Sequence, residues 1–512
     1  MSEKVVLEFD HSQFGEEKIG HVKGPSVEVE GYEPNLKWTE SEEKRLVRIL
    51  DTRLFPWILL TTFILNIDRT NLSNALTDNM PHDLGITINE INTGTLLFSI
   101  VFTIFAFPSN IAAKKWETPY WISFLMFTWG IVTWCHALIH NLSGYLSVRV
   151  FLAATEAGFI PACLFYMSSF YKTHELGTRL AWFWGFQSLA SAISSIMSFG
   201  ILQMAGIAGL EGWKWLFLID GVLTNLVAVL TALYLPITPL KTKGLLRGHK
   251  PWFTEREAQI LVTRLIRDDP AKAEQSQPIT WLDVRETITD FKLWTHWIIC
   301  VLDMTSIHTI TTYTPSIIKS LGFDTYTSNA LTVPAYILTL IISVLHNYYS
   351  DKHGHRSLHC VAQILLAIIG YICLQVLPDN TNKWGLYVVV IITLAAYTWH
   401  ALQVAWVTEN MAPMGKRSLA MGAIIAAANI AGVPGSQIYR TDDQPRFHRG
   451  NWINIGLLTI ACILFLALRA YYIYVNNKRD KIWNAMTNEE RQHYLDTTKD
   501  RGNNRLDFRF ST

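Results

Sequence analysis

Twelve long stretches of this chain carry almost no charge, and that feature decides its fold class. They cover about 55–75, 94–112, 119–139, 145–167, 178–202, 212–235, 294–318, 328–349, 358–377, 384–408, 417–438 and 453–475. A run of about 20 apolar residues is long enough to cross the hydrocarbon of a bilayer as a helix. A helix also satisfies its own backbone polar groups where no water can reach them. The runs are continuous rather than striped, so a soluble bundle of amphipathic helices is excluded. Half of the residues are apolar and 17% are charged, which fits the same conclusion. The expected fold is an all-α membrane protein of twelve transmembrane helices in two six-helix halves.

The polar segments divide the chain into a tail over 1–53, a first half over 54–235, a middle loop over 236–293, a second half over 294–475 and a second tail over 476–512. The middle loop contains "HKPWFTEREAQILVTRLIRDDP", which predicts a surface helix with Thr254 as N-cap, ending at Pro270. The first fifty residues are polar and mixed in charge, so no signal peptide is expected.

Orientation follows from Lys and Arg in the short loops. With the N-terminus inside, the inner loops carry Lys114, Lys115, Lys172, Arg179, Lys352, Arg356, Lys416 and Arg417. The outer loops carry Lys319, Lys383, Arg440, Arg446 and Arg449. Both termini are therefore expected in the cytosol. The sequon at Asn141 falls outside but so near the bilayer that no glycan is expected. The six cysteines lie in or beside apolar runs with no metal-ligand or disulfide spacing. A net charge of +1 gives no footprint for nucleic acid.

One joint stands out. Between the eighth and ninth spans lies "SDKHGHR", with Asp351, Gly354 and Arg356. Read on chemistry alone it is a tight turn, in which Gly permits a sharp backbone and Asp can cap the next helix. The pattern also resembles the D-[RK]-x-G-x-[RK] loop of the major facilitator superfamily, where it acts as a cytosolic conformational latch. The corresponding joint of the first half, "SNIAAKKWETPYW", is basic but lacks the Asp and Gly. Four further stretches, "NIDRTNLSNA" (66–75), "RVFLAATEAGFIPACLFYMSSFYKTHELGTRLA" (149–181), "EGWKWLFLIDG" (211–221) and "RTDDQPRFHRGN" (440–451), are similar to the fungal allantoate permease branch, the anion:cation symporters. The resemblance covers about residues 40–480 and implies a major facilitator fold that works by alternating access. Members of that branch carry allantoate, nicotinate, pantothenate, biotin and sulfur-containing acids.

Charges inside the spans are the candidate site. Asp68 lies about 14 residues into the first span, or roughly 21 Å of helix, and Arg69 follows it. The fourth span carries Arg149 and Glu156, two turns apart and so on one face. Each such charge costs roughly 2.5–3.5 kcal/mol near mid-membrane, so the four must face a polar cavity or each other. A guanidinium never loses its charge and can grip a carboxylate or sulfonate with two parallel bonds. A carboxylate can load and release a proton. The branch resemblance implies the same roles, with Arg69 and Arg149 binding the anion and Asp68 and Glu156 carrying protons. Gln187, Tyr313, Trp406 and Asn429 are further cavity candidates, against the alternative that each only packs. Asp220 and Lys214 are expected as a pair near the outer end of the sixth span.

The expected function is proton-coupled import of a small organic anion, with the proton gradient as energy source and no cofactor or metal. A nutrient sensor on the same fold is the rival reading, and degenerate coupling acids would favour it. Both acids are present. A membrane enzyme would need a His-rich cluster, and "HGHRSLH" (353–359) is already taken by the latch loop. The plasma membrane is the expected location, with endoplasmic reticulum and vacuole as the other candidates.

Overall fold

The computed structural model describes residues 30–268, 280–378 and 381–512. Each expected span forms a helix or a pair of helices. The first half comprises Phe55–Ala75, Ile88–Lys115, Thr118–Cys135, the pair Leu142–Glu156 and Phe159–Ser168, Thr173–Ile201, and Gly212–Tyr234. The second comprises Phe291–Ser320, the pair Thr325–Ala330 and Val333–His353, Arg356–Val376, the pair Lys383–Ala395 and His400–Asn410, the pair Met414–Ile430 and Gly432–Gly435, and His448–Ala485. Eleven helical stretches among the described residues are long and apolar enough to cross a membrane. The seventh span is the exception. At 30 residues it is long enough, but it carries His296, Asp303, His308 and a series of threonines. The fourth span breaks at Ala157 and Gly158, where the backbone turns extended and then left-handed.

Six spans per half return the chain to the side on which it began, so both tails and the middle loop share one end of the bundle. Each half carries its own polar cap there. On the first half, a tail helix over Glu40–Arg53 is started by a capping box between Thr39 and Glu42. It packs beside the middle-loop helix Glu255–Asp268, which begins after Thr254 as expected; Pro270 lies outside the described residues. Arg264 is wholly buried, donating to Glu175 Oε1 at 2.7 Å and to the Phe170 carbonyl at 2.9 Å. Arg179 grips both carboxylate oxygens of Asp51 at 2.7 Å.

On the second half, the C-terminal tail does this work. The twelfth helix runs for 38 residues, roughly 57 Å, so its last turns project beyond a hydrocarbon core of about 30 Å. The chain then folds back. Phe510 stacks on Tyr472, centroids 4.5 Å apart, and the Ser511 carbonyl accepts from Trp406 Nε1 at 2.8 Å and Asn410 Nδ2 at 3.1 Å. Beneath it Lys416 donates to Asp290 Oδ2 at 2.5 Å and Asn503 Oδ1 at 3.0 Å, and Lys292 joins Asp290 Oδ1 at 2.8 Å. Burial alone would raise the Asp290 carboxyl, but the two ammonium groups outweigh it and hold it below the usual aspartate range.

The opposite end of the bundle is closed between the halves. One apolar cluster there joins Leu72, Ile91 and Trp213 of the first half to Tyr313, Ile438 and Tyr439 of the second. The remaining clusters each stay within one half. Neutral hydrogen bonds cross the same seam. Asn92 Nδ2 donates to the Tyr439 carbonyl at 2.6 Å, and Asn92 Oδ1 accepts from the Tyr313 hydroxyl. Asn329 Nδ2 donates to Thr77 Oγ1 at 2.7 Å, and Thr332 Oγ1 to Ser195 Oγ at 2.8 Å. If this seam opens in the alternating access that the major facilitator resemblance implies, a Thr77→Cys/Asn329→Cys protein should crosslink on mild oxidation and lose transport. Reduction should restore it. Full activity of the crosslinked protein, with crosslinking shown by peptide mapping, would contradict the gate.

Candidate functional site

The site lies half-way along the first half of the bundle. Asp68 and Arg69 are neighbours in the first span, and neighbours on a helix point about 100° apart. They therefore serve different partners. Asp68 turns into the bundle, is 5% exposed, and accepts from Thr133 Oγ1 of the third span at 2.8 Å. Arg69 turns toward the fourth span and the centre. Its Nε donates to Glu156 Oε1. The Arg69 side chain is 32% exposed and that of Glu156 is 1% exposed. Arg69 lies six residues before the end of Phe55–Ala75, and part of its side chain stays accessible beside Phe102.

Arg149 is buried on the fourth span, two turns before Glu156. Its guanidinium carbon lies 4.5 Å from the centre of the Phe98 ring. Arg69 lies over Phe102 in the same way, at 5.5 Å. The two rings are one turn apart on the second span and stack with centroids 5.8 Å apart. Each cation is thus supported by an aromatic face, an attraction worth about 2 kcal/mol or more where water is excluded. A ring face leaves the in-plane N–H donors free. Among the described residues Arg149 makes no hydrogen bond, and its Nε is buried without a partner.

Asp68, Arg69, Arg149 and Glu156 thus lie in one region of the first half. Arg69 bonds Glu156 rather than its neighbour Asp68. The other candidates are spread out. Asn429 is half-buried on the eleventh span, its amide donating to the Ile425 carbonyl at 2.9 Å. Next to it, the Ala428 carbonyl lies 3.0 Å from His308 Nε2 on the seventh span. Gln187 is exposed on the fifth span. Tyr313 is buried in the closed seam with Asn92. Trp406 is buried in the second half against His296, Phe465 and Tyr472, with its N–H on the C-terminal tail. The expected Lys214–Asp220 pair does not form: Lys214 joins Glu211 one turn away at 2.7 Å, while Asp220 Oδ2 accepts from Asn71 Nδ2 of the first span at 2.8 Å. Asn141 uses its amide oxygen to cap the fourth span, accepting from Gly144 N at 2.9 Å.

Sequence reasoning missed Phe98, Phe102, Asn71 and Thr133. The aromatic pair had a signal in its four-residue spacing, which places both rings on one helix face. Asn71 is three residues after Asp68 and so shares its face. Thr133 had no signal in the sequence.

The latch loop has the turn its residues imply. Gly354 adopts φ 71° and ψ −154°, a region essentially closed to residues with a Cβ. His355 follows in the left-handed region at φ 60°. Arg356 then bonds Glu409 at the end of the tenth span, at 2.7 Å, and His355 Nδ1 lies 3.3 Å from Thr512 Oγ1. These contacts are all within the second half. The side chain of Asp351 lies outside the described ones.

The major facilitator superfamily model matches residues 58–436. The chain belongs to the major facilitator superfamily. An uncharacterized transporter of Saccharomyces cerevisiae is 33% identical over 483 residues, covering 94% of this chain and 89% of the relative. The major facilitator-type transporter hxnP of Emericella nidulans is 29% identical over 472 residues, covering 89% and 91%. Among solved structures, a bacterial homologue of the human lysosomal transporter Spinster, inward-facing and unoccupied, superposes with a TM-score of 0.61 at 15% identity, covering 84% of this chain and 98% of that one. The inward open xylose transporter of Escherichia coli gives 0.62 at 13% identity, covering 81% and 95%. At such identities the two structures establish the fold alone. The protein is a multi-pass membrane transporter of small molecules, and not an enzyme.

A Cβ built on Gly354 meets no atom within 4 Å, so the requirement there is conformational and not steric crowding. Gly354→Ala should cost about 1–3 kcal/mol of backbone strain. A lowered melting temperature in detergent is the expected result, and an unchanged one would show that the loop relaxes freely.

Proposed function

We propose that this transporter imports a small organic anion together with protons and belongs to the allantoate permease, or anion:cation symporter, branch. The carrying observation is a pair of guanidinium groups, Arg69 and Arg149, held over stacked rings, with Arg69 bonded to Glu156 and the Arg149 Nε donor unspent. The fork of Arg149, joined by that of Arg69 once Glu156 lets it go, suits a carboxylate, sulfonate or similar planar anion. With both termini in the cytosol, as loop charge implies, the closed seam faces outward and the structure is the inward-facing state.

Glu156 couples the two ligands. Ionised, it occupies Arg69. Protonated, it has no charge to offer, and Arg69 is released to the substrate. Proton and anion therefore bind in support of each other. Asp68, one residue from Arg69, is the second proton carrier. Charge balance requires such partners, because anion entry against a negative interior is opposed by about 2.3 kcal/mol per charge per 100 mV. One proton cancels that term and two make entry electrogenic. On this reading Asn429 and Gln187 offer neutral contacts to the remainder of the substrate. Asp351, Gly354 and Arg356 act as the cytosolic latch, and the plasma membrane is the site of action. A sensor that binds without turnover is the second reading.

The test is uptake of radiolabelled carboxylates and sulfonates into proteoliposomes, with and without an imposed pH step. Wild-type protein should concentrate at least one anion only when the step is present. Arg149→Lys should reduce uptake at least tenfold, since an ammonium cannot reproduce the fork. Glu156→Gln should abolish accumulation while leaving exchange of substrate intact. Accumulation by wild type that ignores the pH step would overturn the coupling, and binding without any uptake would favour the sensor.

A further inference from the structure

The sixth span carries an acid to which this cycle assigns no task. Asp220 is 3% exposed, eight residues into Gly212–Tyr234. It lies close enough to Asp68 for the two carboxyls to act on each other, and Asn71, one turn beyond Asp68 on the same helix face, bonds it. The local packing enforces this. Gly221 allows the sixth span to close on the third, since a Cβ there would lie 2.6 Å from Trp134 N and 2.7 Å from the Gly130 carbonyl. Asp68 and Asn71 share a helix face, and Asn71 fixes Asp220 Oδ2 at 2.8 Å. Thr133 fixes Asp68 Oδ2 at 2.8 Å.

The remaining oxygen of each acid, Oδ1, is buried with no donor. Both donors that the pair does have are neutral. The surrounding charges are already committed or only act through space. Arg69 is bonded to Glu156, Lys214 to Glu211, and Arg149 lies over Phe98. Glu156 adds a further negative charge near Asp68. His136, after the third span, stacks on Phe217 one turn from Asp220 and has its Nδ1 3.0 Å from the Thr133 carbonyl. Two ionised carboxylates this close in such a place would repel strongly and leave two bare oxygens unsatisfied. A single proton removes both faults, because a protonated carboxyl donates and an ionised one accepts.

We propose that Asp68 and Asp220 hold one proton between them, and that Asp220 is a third acid of the proton-coupling site. Resting on the proton-coupled reading above, the role follows from position. Asp68 is one residue from the substrate-binding Arg69, whereas Asp220 is screened from the central space behind the first span. A proton lost from Asp68 toward the centre can be held on Asp220, so the pair keeps one negative charge instead of two. When a second proton arrives, the pair becomes neutral. No atom other than the proton moves, and no other reactant is needed.

Infrared difference spectroscopy of the full-length protein in lipid tests this without transport. The spectrum of wild type minus Asp220→Asn should contain the carbonyl stretch of one protonated carboxyl, shifted in D2O. Wild type minus Asp68→Asn should contain the same band, because removing either acid dissolves the pair. An Asn amide replaces the shared proton as donor, so both variants should fold, and one suffices for the test if the other does not. Absence of the band from the difference spectrum overturns the proposal. In vesicles Asp220→Asn should lose pH-driven accumulation and retain exchange, and unchanged accumulation would remove Asp220 from the coupling site. A wild type that shows the band but no pH-driven accumulation would instead refute the symport reading and leave the shared proton standing.

Discussion

An ionised group in hydrocarbon must find compensation or it will not stay there, and the first half of this protein is arranged around that requirement. Arg69 draws the first span to Glu156 on the fourth. Glu156 is buried and Arg69 only partly so, so removing Arg69 would leave a carboxylate without its counter-charge. The second span completes the arrangement by placing Phe98 and Phe102 under the two guanidinium groups. Rings supply attraction without taking hydrogen bonds, so Arg149 is held while its Nε stays without a partner. Had a second carboxylate paired Arg149, the helices would pack as well but the site would have nothing to offer.

The seam between the halves follows the opposite rule. It is closed mainly by neutral bonds from Asn92, Asn329, Thr332 and Tyr313, with one charged donor, Lys319 Nζ, on the Thr77 carbonyl, and by one shared apolar cluster. The neutral bonds contribute about 0.5–1.5 kcal/mol each and can be exchanged for water when the halves part. Among the described residues the ion pairs are kept within halves. Arg264, Glu43, Glu175, Arg179 and Asp51 bind the first tail and the middle-loop helix to the first half. Asp290, Lys292, Lys416 and Asn503 bind the second tail to the second half. The division suits two bodies that rock against each other about a central site.

How much of this was written in the sequence depends on whether the signal is local. The helices were legible because a span declares itself by about twenty adjacent residues of little charge, and eleven of them are apolar enough to cross a membrane, the seventh being interrupted by histidines, Asp303 and threonines. Arg69, Arg149 and Glu156 were legible because a charge in such a run is conspicuous, and the seven-residue spacing put two of them on one face. The breaks at Ala157–Gly158 and at Leu331–Thr332 fall three and two residues before Pro161 and Pro334, so proline marked them only to within a few positions. Asp220 was seen but given the wrong partner. Its sequence neighbour Lys214 suggested a pair, yet its actual partners sit some 150 positions away on the first span. Trp406 was read as a cavity residue because nothing in the tenth span indicates that the C-terminal tail returns to meet its indole N–H.

The central claim is that anion entry carries protons with it. Substrate-driven proton movement tests it most directly. Proteoliposomes are prepared in weak buffer with no initial pH difference, the potential is clamped, and a transported anion is added outside while external pH is followed. The external medium should become alkaline at a rate proportional to uptake, and the change should vanish when Glu156 is replaced by Gln. Uptake of the anion at full rate with no change in external pH would contradict the account.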